Sequence, residues 1–358
     1  MGKESYLNVA VLIPAHNEQK CIDVCLRSVF NQTHKPTQVI VVNDASTDST
    51  HEVVISLLPT HFGLYLVDNT LSHPLFRSGA LNMGLGYVGP SIDIVVALDA
   101  DSLISNDCIE QLVKSFANDG KLGGVCSIAG LLKPDLRTYK GIRKVIAWFL
   151  WKLQKIEYGG FDAERTATYD NVLILHGLCS AFRAEAIKAV EGYSEDQLLE
   201  DYDLTLKIKK LGWKAEFNPK MHAFTNVPLT LKGLLKQRFR WMRGGVDILL
   251  KHGVCKYTLM DFLNHIMYMA LLAGVVIVII LTSKDGWRFT FNFHPIAMTL
   301  VVIGYLTSIY RLKFVKNIEL TDVLIRLSIV PELIMSIIYS ALQIGAYIAC
   351  LAKMRKTW

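Results

Sequence analysis

Acidic residues that follow apolar runs are the first candidates for chemistry in this sequence. Asp99 and Asp101 come directly after a Val/Ile-rich run, one residue apart, and Asp44 ends an earlier apolar run. Two carboxylates this close together, at the end of a buried strand, can both reach one hard divalent cation. Such a metal would bridge phosphate oxygens and offset the negative charge of a departing diphosphate. The spacing therefore predicts Asp99 and Asp101 as ligands of Mg²⁺ or Mn²⁺.

A second pair of acids, Glu200 and Asp201, opens a predicted helix that ends at Gly212. Carboxylates in the first turn of a helix are favoured by the helix dipole, so ordinary capping explains them. If the start of this helix faces a cleft, however, Asp201 is placed to take a proton from an attacking hydroxyl. The residues by themselves leave both interpretations open.

The basic stretch 234–245, LLKQRFRWMRGG, combines four cations with a tryptophan and two glycines. Gln237, Arg240 and Trp241 are spaced i, i+3 and i+4, so they share one face of a helix. An indole offers a broad apolar face, and a guanidinium offers a planar fork of donors to an anion. Basic residues ahead of apolar segments are also typical of a membrane anchor. Lys236 and Arg243 are predicted to meet a lipid surface, and Arg238 is left unassigned.

The elements that must position these residues alternate between strands and helices up to about Gly245. Short apolar runs bounded by turn residues predict buried strands, and stripes at helical spacing predict helices between them. This order predicts an α/β domain with an open, mostly parallel sheet that binds ligands at the carboxyl ends of its strands. Seven cysteines without a Cys-x-x-Cys pair argue against a zinc site or a disulfide framework.

Three apolar stretches after Gly245 predict membrane-spanning helices, at about 259–282, 293–310 and 327–352. The loop between the second and third is the more basic, which predicts the N-terminal domain in the cytoplasm and the protein in the inner or plasma membrane. An odd number of spans then places the C-terminal tail on the opposite side. The predicted division is a domain over residues 1–245 and a membrane domain over residues 246–358.

A basic segment at about 138–157 predicts an amphipathic helix. Its apolar residues form one helical stripe, whereas its lysines and arginines lie off that stripe beside two tryptophans. This distribution is typical of a helix at a membrane interface. A core helix with a solvated face is the alternative.

Six motifs in order give the chain a resemblance to a known family. They resemble the membrane-integrated processive glycosyltransferases of family 2, which include the synthases of cellulose, hyaluronan, chitin oligosaccharide and poly-N-acetylglucosamine. The similarity covers about residues 8–245 and is strongest to the poly-N-acetylglucosamine branch, and it implies a GT-A-like nucleotide-sugar domain. The family usually has Thr where this chain has Leu199. The motifs are VLIPAHNE, VVNDASTD, RSGALNMGL, LDADS, LLEDYDLTLKIKKLGW and KQRFRW.

The resemblance also implies roles for individual residues. Asp44 would contact the uracil of a UDP-sugar, and Arg77 would hold the nucleotide or its phosphates. The loop that contains Ala15, Asn17 and Glu18 would lie beside the nucleotide.

In the same way, Asp99 and Asp101 would contact the diphosphate and its metal. Asp201, preceded by Glu200, would be the general base. Arg240 would support the leaving diphosphate. The acceptor sugar would meet Gln237, Trp241 and His176.

His222 could reach the metal or a phosphate. A structural role is the alternative for both His176 and His222.

These assignments predict a metal-dependent, inverting glycosyltransferase that moves a sugar from a UDP-sugar to a growing β-linked polysaccharide. N-acetylglucosamine is the preferred donor sugar. The alternatives are an enzyme that adds one sugar to a lipid or surface glycan, and an inactive nucleotide-binding scaffold or export subunit. The expected partners are the donor, a carbohydrate acceptor, the bilayer and a second copy or export partner. The net charge of +6 needs no nucleic acid, because placement at a membrane explains it.

Overall fold

The computed structural model describes residues 7–71, 73–266, 269, 273, 295–354 and 356. Its first part alternates strands and helices, as the apolar periodicity predicts. The chain begins with β1 (Val9–Ala15), α1 (Ile22–Phe30), β2 (Gln38–Asn43), α2 (Thr50–Leu57), β3 (Leu64–Asp68), α3 (Phe76–Leu85), β4 (Ile94–Leu98), β5 (Leu103–Ile104), α4 (Cys108–Asn118) and β6 (Leu122–Leu131). It continues with α5 (Gly141–Ala167), β7 (Cys179–Arg183), α6 (Ala184–Ala189), α7 (Glu200–Lys210), β8 (Lys214–Thr225) and α8 (Leu231–His252). The later described helices are α9 (Pro295–Arg311), α10 (Leu320–Leu327) and α11 (Val330–Leu351).

The strands form one mixed sheet in the order β3-β2-β1-β4-β7-β6-β8-β5. Strands β3, β2, β1 and β4 are parallel, and so are β6 and β8. Strand β7 is antiparallel to both of its neighbours, and β5 is antiparallel to β8. The prediction of a mostly parallel sheet is corrected here, because Cys179, the first residue of β7, pairs with Leu98, the last residue of β4. The chain therefore enters β7 at the carboxyl edge of β4, without the crossover that a parallel strand needs.

Both faces of the sheet are buried. Val9, Val11 and Ile13 of β1 pack on one side with α1, whereas Ala10 and Leu12 pack on the other side with α3. Burial on both faces is typical of central strands that read as continuous apolar runs. The loops at the carboxyl ends of these strands are thereby held in fixed positions.

Helix α5 is longer than the amphipathic helix predicted over 138–157, and its placement at a membrane interface stays a prediction. It extends over Gly141–Ala167, and two of its lysines are buried rather than solvated. The ammonium groups of Lys152 and Lys155 lie 2.8 and 2.7 Å from the buried carboxylate of Asp322 in α10. Lys152 also pairs with Glu319 at 2.8 Å. Two cations at i and i+3 can reach one carboxylate, so charges that the sequence places on a solvated face instead join α5 to α10.

The predicted membrane spans are described only in part. The stretch 259–282 lies largely outside the described residues, α9 corresponds to 293–310, and α11 corresponds to 327–352. Among the described residues, one helix is long and apolar enough to cross a bilayer, at Ile334–Leu351 with a mean hydropathy of 1.8. The three-helix membrane bundle and the division at residue 245, which falls inside α8, remain predictions.

The described end of the chain lies against the N-terminal domain. Lys356 pairs with Asp247 at 3.3 Å and donates to the carbonyl oxygen of Asp196 at 2.5 Å. Arg243, expected at a lipid surface, is buried and donates to the carbonyl oxygen of Met354. The expectation of a tail on the opposite side of a membrane stays a prediction. In the structure Met354 and Lys356 contact α8 and the segment before α7.

Two adjacent glycines of α8 give a matched test of its packing against the segment before α7. A Cβ on Gly244 would lie 2.5 Å from Cγ of Leu199 and 3.3 Å from Cβ of Leu198, whereas a Cβ on Gly245 would meet nothing within 4 Å. We expect Gly244→Ala to lower the free energy of unfolding by about 1 to 3 kcal/mol through overpacking. Gly245→Ala should raise it by up to about 1 kcal/mol, because alanine favours helix. Thermal unfolding followed by circular dichroism in detergent measures both, and equal midpoints would contradict this packing.

Candidate active site

The loops after β1 and β2 are tied to each other at the carboxyl edge of the sheet. Asn17 adopts a left-handed backbone conformation (φ 59°), which asparagine tolerates. Its side-chain oxygen accepts hydrogen bonds from the backbone N–H groups of Thr47 (2.8 Å) and Asp48 (3.3 Å). The carbonyl oxygen of Ala15 accepts from the backbone N–H of Asp44 at 2.8 Å. These bonds bring together the loops that the resemblance assigns to the nucleotide.

Asp44 is held by the loop that follows β3. Its carboxylate is buried, and Oδ1 accepts from the side chain of Asn69 at 2.8 Å and from the backbone N–H of Leu75 at 2.7 Å. Two donors on one carboxylate oxygen fix its orientation. Asp44 is therefore in a defined position before any nucleotide binds.

Arg77 in α3 connects three parts of the site. Its Nε donates to Asp99 at 2.7 Å, and Nη1 donates to Glu200 at 2.6 Å. Its Nη2 donates to the carbonyl oxygen of Gly177 at 2.5 Å. The resemblance assigned Arg77 to the nucleotide or its phosphates, but in the structure all three guanidinium nitrogens bind other groups of the protein. Arg77 thus joins the end of β4 to the start of α7.

Asp201 receives two backbone hydrogen bonds at the start of α7. Its Oδ2 accepts from the N–H of Gly177 at 2.9 Å, and Oδ1 accepts from the N–H of Tyr202 at 2.8 Å. Burial, and then repulsion from the carboxylate of Glu200, raises the pKa of Asp201 to about 6. A carboxylate with this pKa is able to accept a proton near neutral pH.

The acids of α7 have tertiary partners in addition to their place in the first turn. The helix begins after Leu199, which offers no side-chain cap, and Glu200 is paired with Arg77. Asp203 is fully buried and accepts from Ser194, while His252 and Lys251 at the end of α8 lie 2.8 and 3.0 Å away. Hydrogen bonds from these three groups hold the pKa of Asp203 well below its usual range, although burial opposes them. These acids therefore have both a place in the first turn and specific tertiary partners.

Glu18, Asp99 and Asp101 form a crowded group of carboxylates. Burial, followed by the charges of Asp101 and Asp99, raises the pKa of Glu18 to about 7. Burial and the charge of Asp99 raise the pKa of Asp101 to about 6, while its carboxylate accepts a long bond from Thr225 at 3.3 Å. Buried carboxylates that repel one another suit a divalent cation, which would offset their charge.

A complete protein-only metal site is not present among the described residues, since no group of three or more His, Cys, Asp or Glu side chains is arranged to hold an ion. Mg²⁺ commonly binds proteins through one or two carboxylates, with phosphates and water as its other ligands. Asp99 and Asp101 fit that pattern.

Helix α8 presents Gln237, Arg240 and Trp241, and the predicted helical spacing is confirmed by its continuous course. The indole of Trp241 is partly buried and lies 6.3 Å from the ring of Phe161 in α5. Burial raises the pKa of Asp99, and the positive charges of Arg77 and Arg240 oppose that rise. The structure therefore brings α8 close to the acids that follow β4.

Both histidines have a pKa lowered by burial. His176 is buried with Nε2 2.6 Å from the carbonyl oxygen of Ser127, and burial lowers its pKa well below the usual value. Burial, and then the charge of Lys316, lowers the pKa of His222 in β8, while the charge of Asp107 raises it. Asp99 and Asp101 are not among the causes of this shift. The predicted roles of His176 at the acceptor and His222 at the metal remain predictions.

Sequence patterns do not identify Gly177 as a site residue, although its backbone contacts two residues of the site. Its N–H binds Asp201 and its carbonyl oxygen binds Arg77. Every residue except proline carries both backbone groups, so residue type does not indicate which of them bind site residues. A Cβ at this position would lie 3.1 Å from the guanidinium carbon of Arg77, which favours glycine.

The chain is similar to known proteins in both sequence and structure. The family model described as "Glycosyltransferase like family 2" matches residues 7–244. Poly-beta-1,6-N-acetyl-D-glucosamine synthase of Staphylococcus aureus strain COL is 28% identical over 246 residues, which are 68% of this chain and 56% of the relative. The same enzyme of Staphylococcus epidermidis is 27% identical with the same coverage. The chain thus spans little more than half the length of these curated relatives.

A solved structure has the same overall fold. It is a mannosyltransferase from Pyrobaculum calidifontis in complex with GDP-Man and Mn²⁺, with a TM-score of 0.61 and 20% identity. The match covers 99% of this chain and 90% of that chain. Since the family model spans most of the chain and the structural match supports a GT-A-like nucleotide-sugar fold, this chain belongs to the glycosyltransferase-like family 2.

Proposed function

We propose that this chain is an inverting glycosyltransferase that moves a sugar from a UDP-sugar to a carbohydrate acceptor at a membrane. The observation that carries this proposal is the placement of Asp201. Its carboxylate is held by Gly177, has a pKa of about 6, and lies in the same Arg77-centred network as Asp99. A base and a diphosphate-binding acid that share one rigid network have the preorganisation that group transfer requires.

The chemistry that we propose is a direct displacement at the anomeric carbon. Asp201 takes the proton of an acceptor hydroxyl, while Trp241 supports the acceptor sugar. Arg240 donates to the departing diphosphate, which offsets the negative charge that develops there. A Mg²⁺ or Mn²⁺ ion bound by Asp99 and Asp101 would supply further neutralisation of that charge. A single displacement inverts the anomeric centre, so an α-linked donor gives a β-linked product.

The donor that we propose is UDP-N-acetylglucosamine. The names of the staphylococcal relatives support this sugar. The family match over residues 7–244 contains every residue of the proposed site. The mannosyltransferase structure contains GDP-Man, which makes that nucleotide sugar a necessary comparison. The length of the product distinguishes growth of a polymer from addition of a single sugar.

Release of UDP tests the proposed activity. We expect the purified chain in detergent, with Mg²⁺ or Mn²⁺, to release UDP from UDP-N-acetylglucosamine faster than from UDP-glucose or UDP-glucuronate, and to release little GDP from GDP-Man. Asp201→Asn should lower the rate by at least about 100-fold, because it removes the base. Addition of EDTA should also lower it.

Two results would contradict this assignment. If the parent chain releases UDP or GDP no faster than Asp201→Asn with every donor, the proposed activity is contradicted. UDP binding without turnover, measured by calorimetry on the same samples, would instead support a nucleotide-binding scaffold.

The pH dependence of transfer tests the role of Asp201. Its raised pKa of about 6 means that the carboxylate is ionised above that pH and protonated below it, so kcat should fall as the pH drops through about 6. Glu200→Gln should move this acid limb to lower pH, because the repulsion from the Glu200 carboxylate raises the pKa of Asp201. Donor binding is measured at each pH as the control. A kcat that stays constant through this range while donor binding holds would exclude Asp201 as the base.

The location at a membrane is supported by exposed apolar side chains on two helices, α5 and α11. Ile142, Val145 and Ile146 at the start of α5 are exposed beside Arg143 and Lys144, and α11 exposes many of its apolar side chains. An apolar face beside cations is typical of a helix at an anionic lipid surface. We expect the expressed chain to stay with the membrane fraction after alkaline carbonate extraction. Recovery in the soluble fraction would contradict a membrane-spanning segment.

A further inference from the structure

The guanidinium of Arg238 lies between a carboxylate of α5 and the indole of Trp241. Arg238 is buried, with 2% of its surface exposed. Its Nε donates to Glu157 at 3.1 Å, and its Nη2 donates to the second oxygen of the same carboxylate. Its Nη1 donates to the side-chain oxygen of Gln237. The guanidinium carbon lies 4.2 Å from the centroid of the Trp241 ring.

These contacts fix the plane of a buried cation. A guanidinium that binds both oxygens of one carboxylate is restricted in orientation as well as in position. The cation therefore covers one face of the Trp241 indole, an arrangement that is favourable in itself. An acceptor sugar has to use the other face.

Helix α5 contacts the indole by a second route. Phe161, one turn after Glu157, lies 6.3 Å from the Trp241 ring at an interplanar angle of 67°. Glu157, which holds Arg238 against the indole, and Phe161 both belong to α5, so the position of Trp241 is set by α5 as well as by its own helix α8.

We infer that Arg238 and Glu157 are positioning residues for acceptor recognition, which hold the Trp241 indole in the orientation that an acceptor sugar needs. This inference rests on the proposed function. Neither residue has to touch the donor or the reacting atoms. Loss of the pair should therefore raise the acceptor KM more than it changes kcat or the donor KM.

Steady-state kinetics with a defined donor and acceptor test the inference. The probes are UDP-N-acetylglucosamine and a β-linked N-acetylglucosamine tetrasaccharide. We expect Arg238→Lys and Glu157→Gln each to raise the acceptor KM by about tenfold, equivalent to about 1.4 kcal/mol. The kcat and the donor KM should change less than about threefold. Lys236→Gln is the matched control, because Lys236 is an exposed cation on the same helix.

A double variant separates positioning from folding. Glu157→Gln leaves a buried cation without its partner and is expected to lower the melting temperature. In Glu157→Gln with Arg238→Gln the unpaired charge is gone, so the melting temperature should recover in part while the acceptor KM stays raised. Recovery of the acceptor KM together with stability would overturn the inference, since the pair would then be purely structural.

The environment of Trp241 gives a readout that does not depend on transfer. The Trp241 contribution to fluorescence is the difference between each chain and the same chain carrying Trp241→Phe. We expect acrylamide to quench this contribution more strongly in Arg238→Lys than in the parent or in Lys236→Gln. If the parent releases no UDP but this difference appears, the proposed function fails and the positioning contact stands. Equal quenching in all three chains would overturn the contact itself.

Discussion

The guanidinium of Arg77 is the group on which the rest of the site depends. It binds Asp99 after β4, Glu200 at the start of α7 and the carbonyl oxygen of Gly177 before β7. A cation that is largely removed from water needs partners, and each of these partners comes from a different part of the chain. Because Gly177 also binds Asp201, the acid at the end of β4 and the proposed base cannot move independently.

Helix α8 is held at both ends by ionic contacts. Its C-terminal end binds the buried Asp203 of α7 through His252 and Lys251, and its first half binds Glu157 of α5 through Arg238. Arg240 and Trp241, which we assign to the diphosphate and the acceptor, lie between these contacts, and Gln237 directly precedes Arg238. The face of α8 that carries them is thus oriented by α5 and α7 together.

Part of this organisation was predictable from sequence. The buried strands, the acids at their ends and the helical spacing of Gln237, Arg240 and Trp241 depend on residues close together in the chain, so local periodicity reveals them. The mixed sheet was not predictable in this way, because the direction of β7 depends on the edge at which the chain returns. Local periodicity predicts a solvated or lipid-facing side for the lysines of α5, because Asp322, the acid that pairs with two of them, is far away in the sequence, in α10.

The sequence by itself determined the family, the α/β alternation and the candidate acids, since each is encoded in short motifs. Only the tertiary structure decided which charge pairs with which. Glu200 is 123 positions from Arg77, and Glu157 is 81 positions from Arg238. Many acids in the chain could pair with either arginine, and neither sequence spacing nor residue type selects among them. Burial makes that selection, because a charge removed from water is stable only beside the particular partner that the fold brings to it.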